Sequence, residues 1–238
     1  EVIGDKYKEI TNQADFIFNI GGKNTQSYNS FLDSNLPVLN FYPSTSPKVT
    51  FNKEWANTRK RNSFLCFAGN GFICKGVDLV LEAFLGDQTK ELHICGPNTE
   101  TIFFEHYGEQ INNAPNIEYH GFIEPGGPLF NNLAAECSYV VFHSAAEGCC
   151  TSVATAMRAG LVPIINSWTG INIEGIGIQL TEDGDIIKTI KDETGKASLI
   201  GQKEYSKMVV STLNKAQDFS QDSFTRSYSE ALEYVIGS

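Results

Sequence analysis

Two loops carry the residue types that could do chemistry. The first follows an apolar run, Phe64 to Ala68, and reads Gly69-Asn70-Gly71, with Lys75-Gly76 ahead of a helical pattern. Glycines at the end of a strand let the backbone approach a ligand, and a helix start favours an anion, so the spacing suits a phosphate. The second loop follows Tyr139 to His143 and reads Ser144-Ala145-Ala146-Glu147-Gly148-Cys149-Cys150-Thr151-Ser152, after which Val153, Met157 and Leu161 mark an amphipathic helix. The amides of Cys149 to Ser152 would open that helix and face a diphosphate, with Glu147 at the strand's carboxyl end. Thr151 or Ser152 as a helix cap, and Glu147 as a solvated loop acid, are the competing structural readings.

Other motifs are weaker or absent. A dinucleotide fingerprint would need a third glycine where Cys74 stands and an acid at the end of the next strand, which instead closes with Cys95-Gly96-Pro97. No Gly-Lys-Ser/Thr occurs, which excludes a P-loop. Asp183-Gly184-Asp185 spells an acid-x-acid pattern that could hold a metal, but it lies just before a helix, where a turn with Asp185 as N-cap is the expected role. Cys149 and Cys150 precede a helix, which lowers thiol pKa, yet no Cys-x-x-Cys occurs and no partner histidine can be placed. The four histidines, His93, His106, His120 and His143, show no ligand spacing with each other or with cysteine, and no metal is expected. Phe103-Phe104 and Phe41-Tyr42 read as packing rather than as a ligand platform.

These loops need a rigid frame, and the chain can build one. Short apolar runs alternate with amphipathic stretches, the pattern of a parallel sheet covered by helices. Strands are expected at Phe16 to Ile20, Val38 to Phe41, Phe64 to Ala68, Leu92 to Cys95, Ile117 to Tyr119, Tyr139 to His143 and Val162 to Ile165. Helices are expected at Thr25 to Leu32, Val77 to Phe84, Glu100 to Ile111, Leu129 to Ala135, Ser152 to Ala159, Asp185 to Lys191, Lys203 to Lys215 and Phe224 to Ile236. Between Tyr42 and Asn62, Pro43, Pro47, scattered Ser and Thr and the charged Lys60-Arg61 read as a linker.

Composition agrees with a folded α/β protein. The 238 residues are 41% hydrophobic with 16 Phe and 9 Tyr, too apolar for a disordered chain. Eighteen Lys plus Arg against 28 Asp plus Glu leave a net charge of -10, with no basic face for nucleic acid. The six cysteines lie singly or side by side in apolar segments, as reduced thiols do. No apolar run is long enough to span a membrane and no signal pattern opens the chain, so a cytoplasmic location is expected. The first residue is Glu1 rather than Met, and the small front segment is expected to be the end of a domain that begins upstream.

The blocks FAGNGFICKGVDLVLEAF, from Phe67 to Phe84, and SAAEGCCTSVATAMRAGLVPI, from Ser144 to Ile164, with LHICGP and NIEYHGFI between them, resemble the donor half of group 1 (family 4) glycosyltransferases. The resemblance covers most of Ala14 to Gly170. It implies a GT-B enzyme, in which two Rossmann-like domains flank a cleft and the second binds a nucleotide sugar. Residues 1–60 would then be the βαβ end of the acceptor domain with the interdomain linker. Residues 61–220 would form the donor-binding domain, and 221–238 a closing helix that packs back.

The resemblance assigns roles position by position. Lys75 matches the lysine on the donor diphosphate, and Glu147 the first acid of an E-x7-E motif beside the transferred sugar; these two are the implied catalytic residues. Gly69, Gly96, Gly148, Cys149, Cys150 and Thr151 fall on the backbone that cradles the donor, and Phe122 and Ile123 on the strand end that faces the base. Asn70 replaces the usual arginine and Thr155 the second acid, which usually holds the ribose. The implied function is retaining, metal-independent sugar transfer without a cofactor, from a nucleotide diphosphate sugar to a glycan or lipid-linked acceptor. Polysaccharide biosynthesis in a bacterium, with peripheral association at the inner membrane face, is the implied setting. Asn70 and Thr155 motivate the alternative of a non-catalytic nucleotide-sugar-binding or scaffold module; an unrelated dehydrogenase lacks its third glycine.

Overall fold

A computed structural model describes residues 8–11, 13–21, 36–145 and 147–237. The helix expected at Thr25 to Leu32 lies outside the described residues. Strands β1 (Ile17–Ile20) and β2 (Val38–Phe41) pair in parallel, Ile17 opposite Val38 and Ile20 opposite Phe41. The last helix, Gln221–Gly237, packs on this small sheet: the Phe41 ring lies 5.8 Å from that of Phe224 and 5.7 Å from that of Tyr228, and Phe18 also lies 5.7 Å from Tyr228. Stacked four residues apart on one helical face, Phe224 and Tyr228 present a continuous aromatic surface to the strands.

The main sheet has six parallel strands: β3 (Lys60–Phe67), β4 (Glu91–Cys95), β5 (Ile117–Tyr119), β6 (Cys137–Phe142), β7 (Val162–Ile165) and β8 (Ile178–Gln179), in the order β5-β4-β3-β6-β7-β8. Helices α1 (Trp55–Thr58), α2 (Val77–Phe84), α3 (Thr101–Asn113), α4 (Pro128–Glu136), α5 (Thr151–Arg158), α6 (Ile186–Ser198) and α7 (Gln202–Ala216) flank it. With the Gln221–Gly237 helix as α8, this is a Rossmann-like α/β fold, as expected. Every residue of β6 and β7 is buried, which suits central strands covered on both faces. Phe64 anchors the core between Phe84 on α2 and Tyr139 on β6, with ring centroids 5.2 and 5.3 Å away.

Three departures from the sequence reading have local causes. Strand β3 begins at Lys60, inside the stretch expected to be linker, and the preceding residues form the single turn α1. Charged heads hid that strand, and each head has a partner: Lys60 Nζ binds Glu136 at 2.7 Å and Glu91 at 3.0 Å, and the Arg61 guanidinium lies 3.5 Å from the centre of the Tyr205 ring. Helix α6 runs on to Ser198; its polar Thr194 is buried on the core side, its hydroxyl satisfied by the Ile190 carbonyl, so the apolar period that would have marked this end is broken. Strand β8, only two residues long, offers no periodicity to detect.

Candidate functional site

The strand order reverses between β3 and β6, since β4 and β5 extend the sheet one way and β7 and β8 the other. A crevice opens at the carboxyl ends of strands flanking such a switch point. Both loops singled out by residue type leave the sheet there.

The two loops are fastened to each other. After β3, a tight turn brings the Lys75 amide to the Gly71 carbonyl at 3.0 Å and the Val77 amide to the Phe72 carbonyl at 2.9 Å. Gly76 ends this turn at φ +64° and lies directly against the backbone after β6, where an added Cβ would come within 1.8 Å of the His143 carbonyl oxygen. Next to it, the Ala145 amide donates to the Cys74 carbonyl at 3.0 Å.

A third segment, after β7, holds the second loop from behind. Asn166 accepts from the Ser144 amide at 3.1 Å and donates to its carbonyl at 2.7 Å. The Glu147 amide donates to the Trp168 carbonyl and the Cys150 amide to that of Thr169, at 2.9 and 2.8 Å. Gly148 is wedged between glycines: a Cβ on Gly21 or on Gly170 would come within 2.4 or 2.3 Å of its carbonyl oxygen. Helix α5 therefore starts at Thr151 with its first amides directed to the crevice, where they have no partner within the helix. Cys150 is the N-cap and no side chain caps the helix, so neither Thr151 nor Ser152 takes the capping role weighed from sequence.

Between the loops is a cavity of about 320 Å³. Eight of the residues singled out from sequence line it: Gly69, Asn70, Lys75, Phe122, Glu147, Cys150, Thr151 and Thr155. Gly96, Ile123, Gly148 and Cys149 do not. Ile123 and Cys149 are buried in the core, and Gly96 makes room for the Phe72 ring, which a Cβ would meet at 2.5 Å. Ser152, at the helix start singled out from sequence, lines it too, and the structure adds Pro97 and Pro125, with Phe67 and Ala68 at the end of β3. Phe122, 72% exposed, stands at the rim as a bare aromatic face.

Charge in the cavity centres on Lys75 and Glu147, whose side chains form a direct ion pair across the two loops, each less than a quarter exposed. The two neutral replacements are engaged. The Asn70 carboxamide oxygen accepts from the Thr99 hydroxyl at 2.9 Å, which turns its NH2 group away from Thr99. Thr155 donates its hydroxyl proton to the Thr151 carbonyl at 2.7 Å, one turn back on α5, so toward a ligand it can only accept. Burial pushes the Cys149 thiol up to about 12 and that of Cys150 up to about 11. Neither is a thiolate at neutral pH, which removes the nucleophile reading of this pair.

Elsewhere, Asp185 caps α6, accepting from the Lys188 amide at 2.9 Å, as its place before a helix predicts. Phe103 and Phe104 pack on Phe72 and Tyr119. The histidines depart from expectation: His93 and His120, without ligand spacing in sequence, meet in space with Nδ1 and Nε2 3.0 Å apart. Among the described residues no helix is long and apolar enough to cross a membrane.

Residues 49–182, more than half of the chain, match the family model for glycosyl transferases group 1. The chain belongs to that family. Solved glycosyltransferase structures share the fold at low identity. One from Rickettsia africae superposes with a TM-score of 0.77 at 13% identity, over 99% of this chain and 67% of its own. HepE of Anabaena in complex with UDP gives 0.78 at 13%, over 97% and 68%. The pneumococcal O-GlcNAc transferase GtfA in complex with UDP and GlcNAc gives 0.69 at 15%, with all of this chain covering 48% of that one. This group 1 family member thus spans about half the length of GtfA. No curated protein matches the chain significantly in sequence.

Proposed function

We propose that this chain is the donor-binding part of a retaining glycosyltransferase, which moves a sugar from a nucleotide diphosphate sugar to a glycan or lipid-linked acceptor with no metal in the site. The observation that carries the reading is the convergence of the Lys75 ammonium and the first amides of α5 on one cavity. When the bond from the anomeric carbon to the diphosphate oxygen breaks, the electron pair stays on the leaving phosphate. Fixed positive charge and aligned amides stabilise that developing anion without a metal, and such preorganised stabilisation is usually the largest catalytic contribution. Glu147 binds hydroxyls of the transferred sugar and supports the positive charge that grows on its ring. Phe122 offers a face to the base, and Thr155 accepts from a ribose hydroxyl. The two similar structures that hold UDP support a uridine diphosphate as the first ligand to try.

In GT-B enzymes the acceptor and the closing wall of the cleft come from the other domain, so this chain alone binds nucleotide weakly and transfers no sugar. Isothermal titration with UDP and GDP on the chain and on Lys75→Ala tests the diphosphate site. A hydrogen bond to a charged group contributes about 1.5–3 kcal/mol, so the substitution weakens binding roughly ten- to a hundredfold. Unchanged affinity in the variant overturns the reading.

A second reading, a non-catalytic nucleotide-sugar-binding module, draws on Asn70 and Thr155, which leave two charged anchors out of the cavity. Sugar transfer by a longer form of the protein that includes the acceptor domain disposes of it.

A further inference from the structure

We propose that this chain holds a divalent transition-metal ion of the zinc class between His93, His120 and Glu118, at a place separate from the cavity between the two loops. Side chains two apart in extended chain share a face, which puts Glu91 and His93 together on β4, and Glu118 on β5 together with His120 just past its end. Parallel pairing sets His93 opposite Glu118, and the His120 amide carries the ladder one residue further by donating to the Ile94 carbonyl at 2.9 Å. The result is a cluster of two imidazoles and a carboxylate in which one ligand atom from each lies within 4.8 Å of the others.

Its geometry fits a small ion. His93 Nδ1 and His120 Nε2 are 3.0 Å apart, while two nitrogens held at 2.0–2.1 Å by a tetrahedral zinc ion lie about 3.3 Å apart, so the rings need move only slightly. Glu118 Oε2 lies 3.9 Å from His93 Nδ1, and its largely exposed side chain is free to swing in as the third ligand. Imidazole with carboxylate suits zinc and its neighbours rather than magnesium or calcium, which take oxygen ligands.

An independent observation points the same way. His93 is only 8% exposed, yet its Nε2 is buried without any hydrogen-bond partner. A buried ring nitrogen left unpaired costs free energy and calls for an explanation. With an ion on Nδ1, Nε2 carries the proton, and a metal-bound histidine characteristically donates that proton to a carboxylate. Glu91 and Glu136 stand ready, with a carboxylate oxygen of each within 4.8 Å of a His93 ring nitrogen. Lys60 already holds both acids in place.

The test is titration of Zn²⁺ into the chelator-treated chain without a histidine tag, followed by calorimetry, with Co²⁺ absorption as a readout of ligand geometry. One ion is expected per chain, with a rise in melting temperature. His120→Ala and Glu118→Gln each weaken binding by about tenfold or more and remove the thermal shift. Glu118 is exposed, so its variant keeps the test valid if loss of His120 disturbs folding. Equal affinity in wild type and Glu118→Gln with an unchanged cobalt spectrum, or no binding at roughly 1 mM zinc, overturns the assignment.

Discussion

Gly76 touches the backbone of His143: at φ +64° its Cα faces the carbonyl at the end of β6 so closely that a Cβ would stand 1.8 Å from the oxygen. This contact, with the hydrogen bond from Ala145 to Cys74 beside it, makes one rigid unit of the two loops that line the cavity. Replacing Gly76 by alanine therefore strains the left-handed backbone by about 1–2 kcal/mol and also pushes the loops apart. Urea unfolding should show a loss of at least that size, and UDP affinity should fall although no ligand-facing group has changed. Wild-type stability in Gly76→Ala would mean that the two loops are not clamped in this way.

Lys75 and Glu147 compete with any diphosphate that enters, because each is the other's partner in the free protein. Glu147→Gln releases the ammonium, and since partly exposed pairs contribute about 0.2–1 kcal/mol, UDP should bind as well or up to roughly fivefold tighter. Lys75→Ala should move affinity the opposite way. A parallel loss in both variants would mean that the intact ion pair, rather than a freed Lys75 ammonium, supports nucleotide binding.

Among the described residues, Arg59 is a structural cation that pairs with no carboxylate. Buried beneath α5, its guanidinium donates to the carbonyls of Ala134, Ala159 and Gly160 at 2.8, 2.6 and 2.6 Å, and so meets the negative end of the helix whose other end opens on the cavity. Arg59→Met leaves those carbonyls unpaired and should cost on the order of 4 kcal/mol in chemical denaturation. Arg59→Lys, a point charge that cannot reach all three, should recover less than half.

Thiol chemistry should be confined to the surface. With pKa values raised to about 12 and 11 by burial, Cys149 and Cys150 stay protonated at pH 8 and gain reactivity only as the pH approaches those values or the chain unfolds. Iodoacetamide at pH 8 should label exposed Cys74 first, as read by mass spectrometry after digestion. Early labelling of Cys149 would show that the loop opens in solution.

Much of the scaffold was legible because its signals are local. Runs such as Tyr139-Val140-Val141-Phe142 are apolar on both faces and fit only buried strands, and Gly76 marks a turn where the backbone comes close to other atoms. From these, both cavity loops and most helix positions followed. Short or charged elements did not: β8 has two residues, and Lys60 and Arg61 disguised the first residues of β3 as linker. Residue type alone also could not separate the glycines that line the cavity from those that pack behind it, as Gly69 does the one and Gly148 the other.

By itself, then, the order of amino acids determined the alternation of strands and helices and the two loops that line the cavity, since hydrophobic period and turn chemistry act over a few neighbouring residues. Tertiary structure alone decided that Lys75 pairs with Glu147, 72 positions away, and that His93 lies beside His120. Both depend on strand order and register, which are set by packing of the whole sheet and leave no trace in local spacing.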